Sequence, residues 1–313
     1  MSHLGELLSL ITAILWTGSA IIAERAVKRV GPLNANIVKM ALSLLLIIIC
    51  LAIYTGTPFP KYTNTATWMW LGLSAMAGYV FGDMCLFSCY NLIGSRFGQL
   101  FMTLAPLSAA LFGWVLLGES MTPMGYLGMA LTITGIAISV FNRQEGNDGK
   151  KHTRLKLPLS GVLCGIGAGI GQGVGLVLSK QGILEYESLI PASDTAAAQS
   201  LSMSATFMRA VCGVIGFIII LFIRGAHKDF ASKVYHRKAL LLLTGATLFG
   251  PFIGVSLSLE ATRYASVGVT QTIMSISPVM ILIPAVLIFK QKVTFIEVLG
   301  ALISVAGVAL FFV

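Results

Sequence analysis

Apolar residues run through this chain in long blocks rather than in the stripes of helices packed in water. A block of about 20 such residues can cross a bilayer as a helix. Ten candidate spans are marked, at 5–27, 34–55, 67–90, 95–117, 122–141, 159–181, 203–223, 239–261, 265–289 and 294–312. Most connections are short, the exceptions being 142–158, 182–202 and 224–238. Tight connections predict a compact bundle of antiparallel helices. The expected fold class is therefore an all-α integral membrane protein. Composition agrees: of 313 residues 56% are hydrophobic and only 11% charged, too few to cover a soluble surface of this size.

Charge adds an orientation. Lysine and arginine outnumber the acids 21 to 12. They gather in alternate loops: Arg25, Lys28 and Arg29; Arg96; Arg143, Lys150, Lys151, Arg154 and Lys156; Arg224, Lys228, Lys233, Arg237 and Lys238; Lys290 and Lys292. The opposite loops hold little beyond Lys61, Lys180 and Arg263, and 182–202 is acidic. The positive-inside rule then puts both termini on the non-cytoplasmic side. The excess charge reads as topology, so no nucleic-acid partner is expected. The N-terminus lacks a basic n-region, which argues against a cleaved signal peptide. The five cysteines (Cys50, Cys85, Cys89, Cys164, Cys212) all fall inside apolar runs. They read as small buried hydrophobes, with no metal site and no cofactor expected.

A shift of 172 residues aligns the chain with itself. Gly78 falls on Gly250, Gly82 on Gly254, Gln99 on Gln271, Met102 on Met274 and Pro106 on Pro278. Thr122 falls on Thr294, Leu127 on Leu299, Gly128 on Gly300 and Gly135 on Gly307. The matches concentrate at glycine, proline and glutamine, where geometry or polarity matters. The earlier parts match more loosely, with Gln172 corresponding to Trp16 at an offset of 156. Two repeats, 1–145 and 146–313, each with five spans, must enter the membrane with opposite polarity. Such inverted repeats place a transporter's site near the midplane, at the repeat interface.

The pattern ILWTGSAIIAERAV, then LAPLSAALFGWVLLGESMTPMGYLGMALTITGIAI, echoed by ISPVMILIPAVLIFKQKVTFIEVLGALISVAGVAL, resembles the EamA-type repeat of the drug/metabolite transporter superfamily. Trp16 with Gly18, Pro106, Leu117-Gly118-Glu119, Gly128 and Gly135 carry the resemblance. It implies ten helices as two inverted five-helix repeats, and export of an amino acid or similar metabolite across a bacterial plasma (inner) membrane. Relatives are usually drawn with both termini inside, against the charge count here. Two departures stand out: Lys39 where arginine is usual, and Gln291 for the second-half glutamate.

The stretch GVLCGIGAGIGQGVGLVLSK carries seven glycines in twenty residues. Glycines 161, 165, 169 and 173 form one small-xxx-small face, and 167, 171 and 175 another. Such faces let helices approach closely in lipid. A sharper reading makes Gly169 and Gly171 a hinge, with Pro106 and Pro278 as further hinge candidates.

Charges inside a bilayer need a reason. Asp83 lies well inside the third span, with Tyr79, Phe87 and Tyr90 at helical spacing along one face. An aromatic wall with one carboxylate suits a cationic or amine-bearing solute, and Asp83 is a candidate carrier of a coupling proton. The plainer role is a bond to a neighbouring helix, or snorkelling toward the nearer interface. Glu24, beside Arg25 and four residues before Lys28, reads as a surface ion pair, with coupling as the alternative. Lys39 and Arg209 each sit near the start of the second helix of a half, as snorkelling cations, or as an anion contact or gate pair near the cavity mouth. Trp16, Thr17, Gln99, Gln172 and Gln271 are candidate cavity linings. Glu119 reads as a cap, and Glu260 as the partner of Arg263.

The leading function is a secondary transporter of a small organic solute working by alternating access in the lipid bilayer. An exchanger of an anionic metabolite, such as a phosphorylated sugar or nucleotide derivative, stays open because of Lys39, Lys180 and Arg209. No GxxxxGK[ST] loop, HExxH or GxSxG occurs, which argues against ATP-driven transport and against an enzyme. The duplicated inverted halves argue against a membrane scaffold. The expected assembly is a monomer, with an oligomer left open.

Overall fold

The computed structural model describes residues 4–117, 123–145, 151–155, 157–235, 237–264, 273–287, 290 and 293–310. Seven helices among these are long and apolar enough to cross a membrane: α1 (Leu4–Val30), α2 (Pro32–Thr55), α3 (Thr65–Ile93), α4 (Ser95–Leu116), α5 (Pro123–Val140), α6 (Leu159–Leu189) and α8 (Leu201–Ile223). A short α7 (Thr195–Gln199) precedes α8. Then follow α9 (His227–Val234), α10 (Arg237–Thr247) and α11 (Ile253–Tyr264). Two shorter apolar helices, α12 (Ser277–Leu287) and α13 (Phe295–Leu310), end the described chain. The protein is thus an integral multi-pass membrane protein.

The described helices differ from the expected ten spans in definite ways. The eighth span is helical but split into α10 and α11 by a π-helical turn at Leu248–Phe252. The ninth shows only α12, because part of 265–289 lies outside the described residues. The expected loop 142–158 contains an antiparallel strand pair, Phe141–Glu145 with Lys151–Leu155, an exception to the all-α reading. The expected loop 182–202 is largely helix. There α6 continues to Leu189, because the buried Tyr186 donates its hydroxyl to the Lys61 carbonyl at 2.8 Å. Asn64 donates to Glu185 at 2.8 Å beside it.

Local chemistry sets the helix boundaries. Gly31 (φ +84°) turns the chain between α1 and α2, and Pro32 opens α2 where its missing N–H costs nothing. Gly56 (φ +72°) ends α2 in the left-handed region. The Asn64 side chain caps α3 by accepting from the Thr67 amide at 2.7 Å.

Packing follows a pseudo-two-fold relation. Helix α1 packs against α10, α11 and α12, while its counterpart α6 packs against α3 and α4. Helices α2 and α8 pair with each other, as do α5 and α13. The π-helical stretch Met76–Asp83 in α3 begins 172 residues before that at Leu248–Phe252. Contacts repeat at the same offsets. A Cβ on Gly78 would lie 3.6 Å from Gly175, and one on Gly250 would lie 2.5 Å from the Ser19 hydroxyl. Likewise Gly82 abuts Gln172, and Gly254 abuts Trp16. Gly175 and Ser19 are related by the same offset of 156 as Gln172 and Trp16. The two halves form an inverted repeat.

The glycine-rich α6 is wedged between two helices, which is why it is glycine-lined on two sides. A Cβ on Gly165, Gly169 or Gly173 would overlap Phe101, Leu104 or Ser108 of α4. On the other side a Cβ on Gly171 would come 2.7 Å from the Gly82 Cα, and one on Gly175 would come 2.8 Å from the Gly78 Cα. Backbone meets backbone at that crossing. The Ser74 hydroxyl fastens it by bonding the Gly175 carbonyl at 2.7 Å.

Candidate functional site

The α3–α6 crossing places polar groups of both halves together. Asp83 closes the π-helical segment of α3, a helix irregularity that recurs at functional sites. Lys39 of α2 reaches it, with Nζ 2.5 Å from Oδ2. Gln172 of α6 donates from Nε2 to the other oxygen, Oδ1, at 2.8 Å, and to the Gly78 carbonyl at 3.1 Å. Asn36, one turn before Lys39, donates to the Asp83 carbonyl at 3.1 Å. The Lys39 and Asp83 side chains keep only 11% and 9% exposure. Two desolvated charges persist only where geometry and further hydrogen bonds offset the lost hydration, and Gln172 supplies such a bond.

Aromatic rings frame the pair. Lys39 Nζ sits 4.6 Å from the Phe87 centroid. Phe87 stacks on the buried Tyr90 at 5.7 Å. Tyr90 accepts a hydrogen bond from Gln99 Nε2 at 2.7 Å. On the other side, the Arg209 guanidinium of α8 lies 4.3 Å from the Tyr79 centroid. Its Nε is buried and meets no hydrogen-bond acceptor among the described residues. A Cβ on Gly78 would stand 3.3 Å from Arg209 Nη2 and 3.9 Å from Gln172 Oε1, so one glycine borders both groups.

Six of the residues singled out from sequence thus converge: Lys39, Tyr79, Asp83, Phe87, Gln172 and Arg209. Gln99 joins through Tyr90. Two plainer readings are corrected. Lys39 does not snorkel, because Asp83 offers it a partner inside the bundle. Glu24 is not a surface residue: it is fully buried, and its carboxylate accepts from the Ser95 amide at 2.8 Å and hydroxyl at 2.6 Å as well as from Lys28. An anion there complements the N-terminus of α4 just after Gly94 (φ +89°).

Other candidates lie apart. Trp16 packs against Gly254, the two-fold counterpart of the Gln172–Gly82 contact. The Thr17 hydroxyl is spent on the Ala13 carbonyl at 2.7 Å. Gly169 and Gly171 are in close contact, as above. Pro278 opens α12, buried beside Arg96 and Glu297, and Pro106 follows the break in α4 at Thr103. Gln271, Glu119 and Gln291 lie outside the described residues, as do the side chains of Glu260 and Arg263.

Sequence reasoning missed two groups. Asn36 stands at i, i+3 from Lys39, a spacing that places both on one helix face. The Arg96–Glu297 ion pair, 3.1 Å across the halves, left only one local signal. Thr294 and Glu297 have capping-box spacing, and each accepts from the other's amide at 3.4 Å.

Among the described residues, the cluster has two cations and one carboxylate. An amine can compete with Lys39 for Asp83, and an anion can meet Arg209. The sequence profile of the EamA-like transporter family matches residues 3–141 and 159–313. A crystal structure of another protein superposes with a TM-score of 0.62 at 15% identity, over 99% of this chain and 96% of the other. That likeness shows the fold. No curated protein matches the chain.

Proposed function

The chain belongs to the EamA-like transporter family, and from that premise we propose that it is a secondary transporter exporting an amino acid or similar small organic solute. One observation carries the reading. Asp83 is held at once by Lys39 of the first half and Gln172 of the second. Solute exchange at such a carboxylate would loosen one half from the other, as alternating access requires. The two repeats, 1–145 and 146–313, are the moving units, with Pro106, Pro278, Gly169 and Gly171 at their flexing points. Asp83 is also the first carboxylate to test for proton coupling. The charge count supports both termini on the non-cytoplasmic side of a bacterial plasma membrane.

A second reading, exchange of an anionic metabolite, is favoured by Arg209, whose buried Nε lacks an acceptor among the described residues. Counterflow in proteoliposomes separates the two, using pooled labelled amino acids, nucleosides and sugar phosphates. Saturable uptake from the amino-acid pool supports the first reading, and uptake from the sugar-phosphate pool supports the second. No uptake by folded protein from any pool would favour a scaffold. Unchanged gradient-driven flux in Asp83→Asn would remove the coupling role.

A further inference from the structure

An open groove of about 730 Å³ lies between α1 and α10, away from the Asp83 cluster. Arg25, Lys28, Arg29 and Lys238 stand in it with Ile22, Leu241, Leu242 and Gly245. Among the described residues, no carboxylate lines it. Lys28 is engaged by Glu24 yet keeps 48% side-chain exposure, and Arg25, Arg29 and Lys238 are exposed.

The walls join the lipid-facing surface. Leu241 is 64% exposed, and Phe249 and Ile253 extend its side of the helix. On α1 the exposed Ile14 lies below, on the way to Ile22. The packing here is loose. Among the described residues, a Cβ on Gly18 would meet nothing within 4 Å, and one on Gly245 would meet only Ile22, at 3.9 Å. The α6 glycines, by contrast, are in overlapping contact with their neighbours.

The repeat provides an internal control. The two-fold counterparts of Arg25, Lys28, Arg29 and Lys238 are Gln181, Leu184, Glu185 and Ala66, and Leu73 replaces Gly245. The architecture therefore requires neither the cations nor the gap. A site with apolar walls, a cationic mouth and an opening to lipid matches a phospholipid, with acyl chain below and phosphate above.

We propose that the α1–α10 groove is a binding site for an anionic phospholipid of the surrounding membrane, its headgroup phosphate held chiefly by Arg29 and Lys238. Bound there, the lipid would brace α1 against α10 at the positive end of the bundle.

The test reconstitutes the full-length protein in phosphatidylcholine vesicles containing spin-labelled phosphatidylglycerol. Relative association against labelled phosphatidylcholine is read from the motionally restricted signal. Preference for phosphatidylglycerol is expected. Arg29→Gln with Lys238→Gln should lower it on the order of tenfold or more, since each cation near the surface contributes about fivefold. The pair Arg224→Gln and Lys228→Gln removes equal charge from the loop after α8 and should leave it nearly unchanged. Gly245→Phe fills the groove with every cation intact, so its expected loss of preference holds even if the charge variants misinsert. Equal losses in both charge pairs, or full preference in Gly245→Phe, would overturn the site. Inorganic phosphate added to phosphatidylcholine vesicles distinguishes the sources: cation-dependent thermal stabilisation by phosphate alone would mark a soluble-anion site and overturn the lipid assignment.

Discussion

Thr132 and Ser304 exchange hydrogen bonds between α5 and α13, each hydroxyl 3.3 Å from the other's backbone carbonyl, with Thr132 sharing its proton with the Gly128 carbonyl at 2.9 Å. The two residues stand 172 positions apart, the repeat offset, so this exchange marks where the two-fold relation maps the bundle onto itself. Around it the helices touch through glycine. A Cβ on Gly135 would lie 2.5 Å from the Gly300 carbonyl, and one on Gly307 would lie 2.4 Å from the Thr132 hydroxyl. Gly135→Val is therefore expected to destabilise the protein by more than the ~1–3 kcal/mol of ordinary overpacking, because backbone must move. Gly18→Ala meets no atom of the described residues within 4 Å and is expected to be neutral or mildly stabilising. Melting temperatures of the two detergent-purified variants check the contrast. Equal melting would mean that α5 and α13 are not closely joined.

The Lys39–Asp83 pair predicts strong non-additivity. Asp83→Leu leaves an ammonium inside the bundle, and breaking a buried pair this way costs about 3–5 kcal/mol. Lys39→Met leaves a carboxylate that still accepts from Gln172, so it should cost less. Joining the two substitutions removes both charges, and most of the folded yield should return while transport does not. Yield by size-exclusion and counterflow on the same preparations measure this. A double variant as poorly folded as Asp83→Leu alone would show that the pair does not account for the stability of the site.

Much of this arrangement was legible in the sequence, and the limits have physical causes. Intramembrane polar residues are few, so Asp83, Lys39, Gln172 and Arg209 announced themselves by cost alone. The repeat offset located the glycine crossings, because glycine persists where backbones touch. What the sequence withheld was partnership. Nothing in the spacing says that Lys39 turns to Asp83 rather than to the membrane surface, since their separation of 44 residues is bridged only by the α2–α3 packing. Glu24 misled for a related reason: its i+4 lysine is real, but the Ser95 amide that buries it comes from another helix. The π-helical turns were also invisible, as an extra residue per turn leaves an apolar pattern apolar.

Outside the membrane, Asp194 ties the halves through the 56–64 loop. Its carboxylate accepts from the Ala197 amide at 3.0 Å and from the Tyr62 hydroxyl at 3.1 Å, with Lys61 at 3.9 Å. These bonds, the Ala197 amide first, hold its pKa below the usual aspartate value. A carboxyl acidified by folding stabilises the native state fully above its unfolded pKa of about 3.9, and that contribution is lost as pH falls through the lower folded value. Tyr62, whose pKa is raised chiefly by its bond to Asp194, keeps its proton past the ordinary tyrosine range, so neutral pH leaves the contact intact. Asp194→Asn should lower the melting temperature at pH 7, with the gap to the wild type closing as pH drops below about 4. A gap independent of pH would rule out the carboxylate's ionisation as the source.

The α6 glycines yield the most direct test of how packing and transport are joined. Gly167 and Gly171 face α3 one turn apart. A Cβ on Gly167 would meet the Cys85 sulfur at 3.0 Å, a side chain able to turn aside. A Cβ on Gly171 would lie 2.7 Å from the Gly82 Cα and 2.8 Å from the Ala77 carbonyl, inside the π-helical segment. Backbone there cannot yield without moving Asp83. Gly167→Ala should therefore fold and transport nearly as the wild type. Gly171→Ala should separate α6 from α3, draw Gln172 off Asp83 and lower counterflow at least tenfold, an interaction loss of about 1.4 kcal/mol or more. Gln172→Ala, which removes the bond without the clash, should share the transport loss while lowering the melting temperature less than Gly171→Ala does, since Asp83 keeps Lys39. If Gln172→Ala transports normally while Gly171→Ala does not, the glycine acts through helix packing or bending alone, and the Gln172–Asp83 bond is not part of the transport cycle.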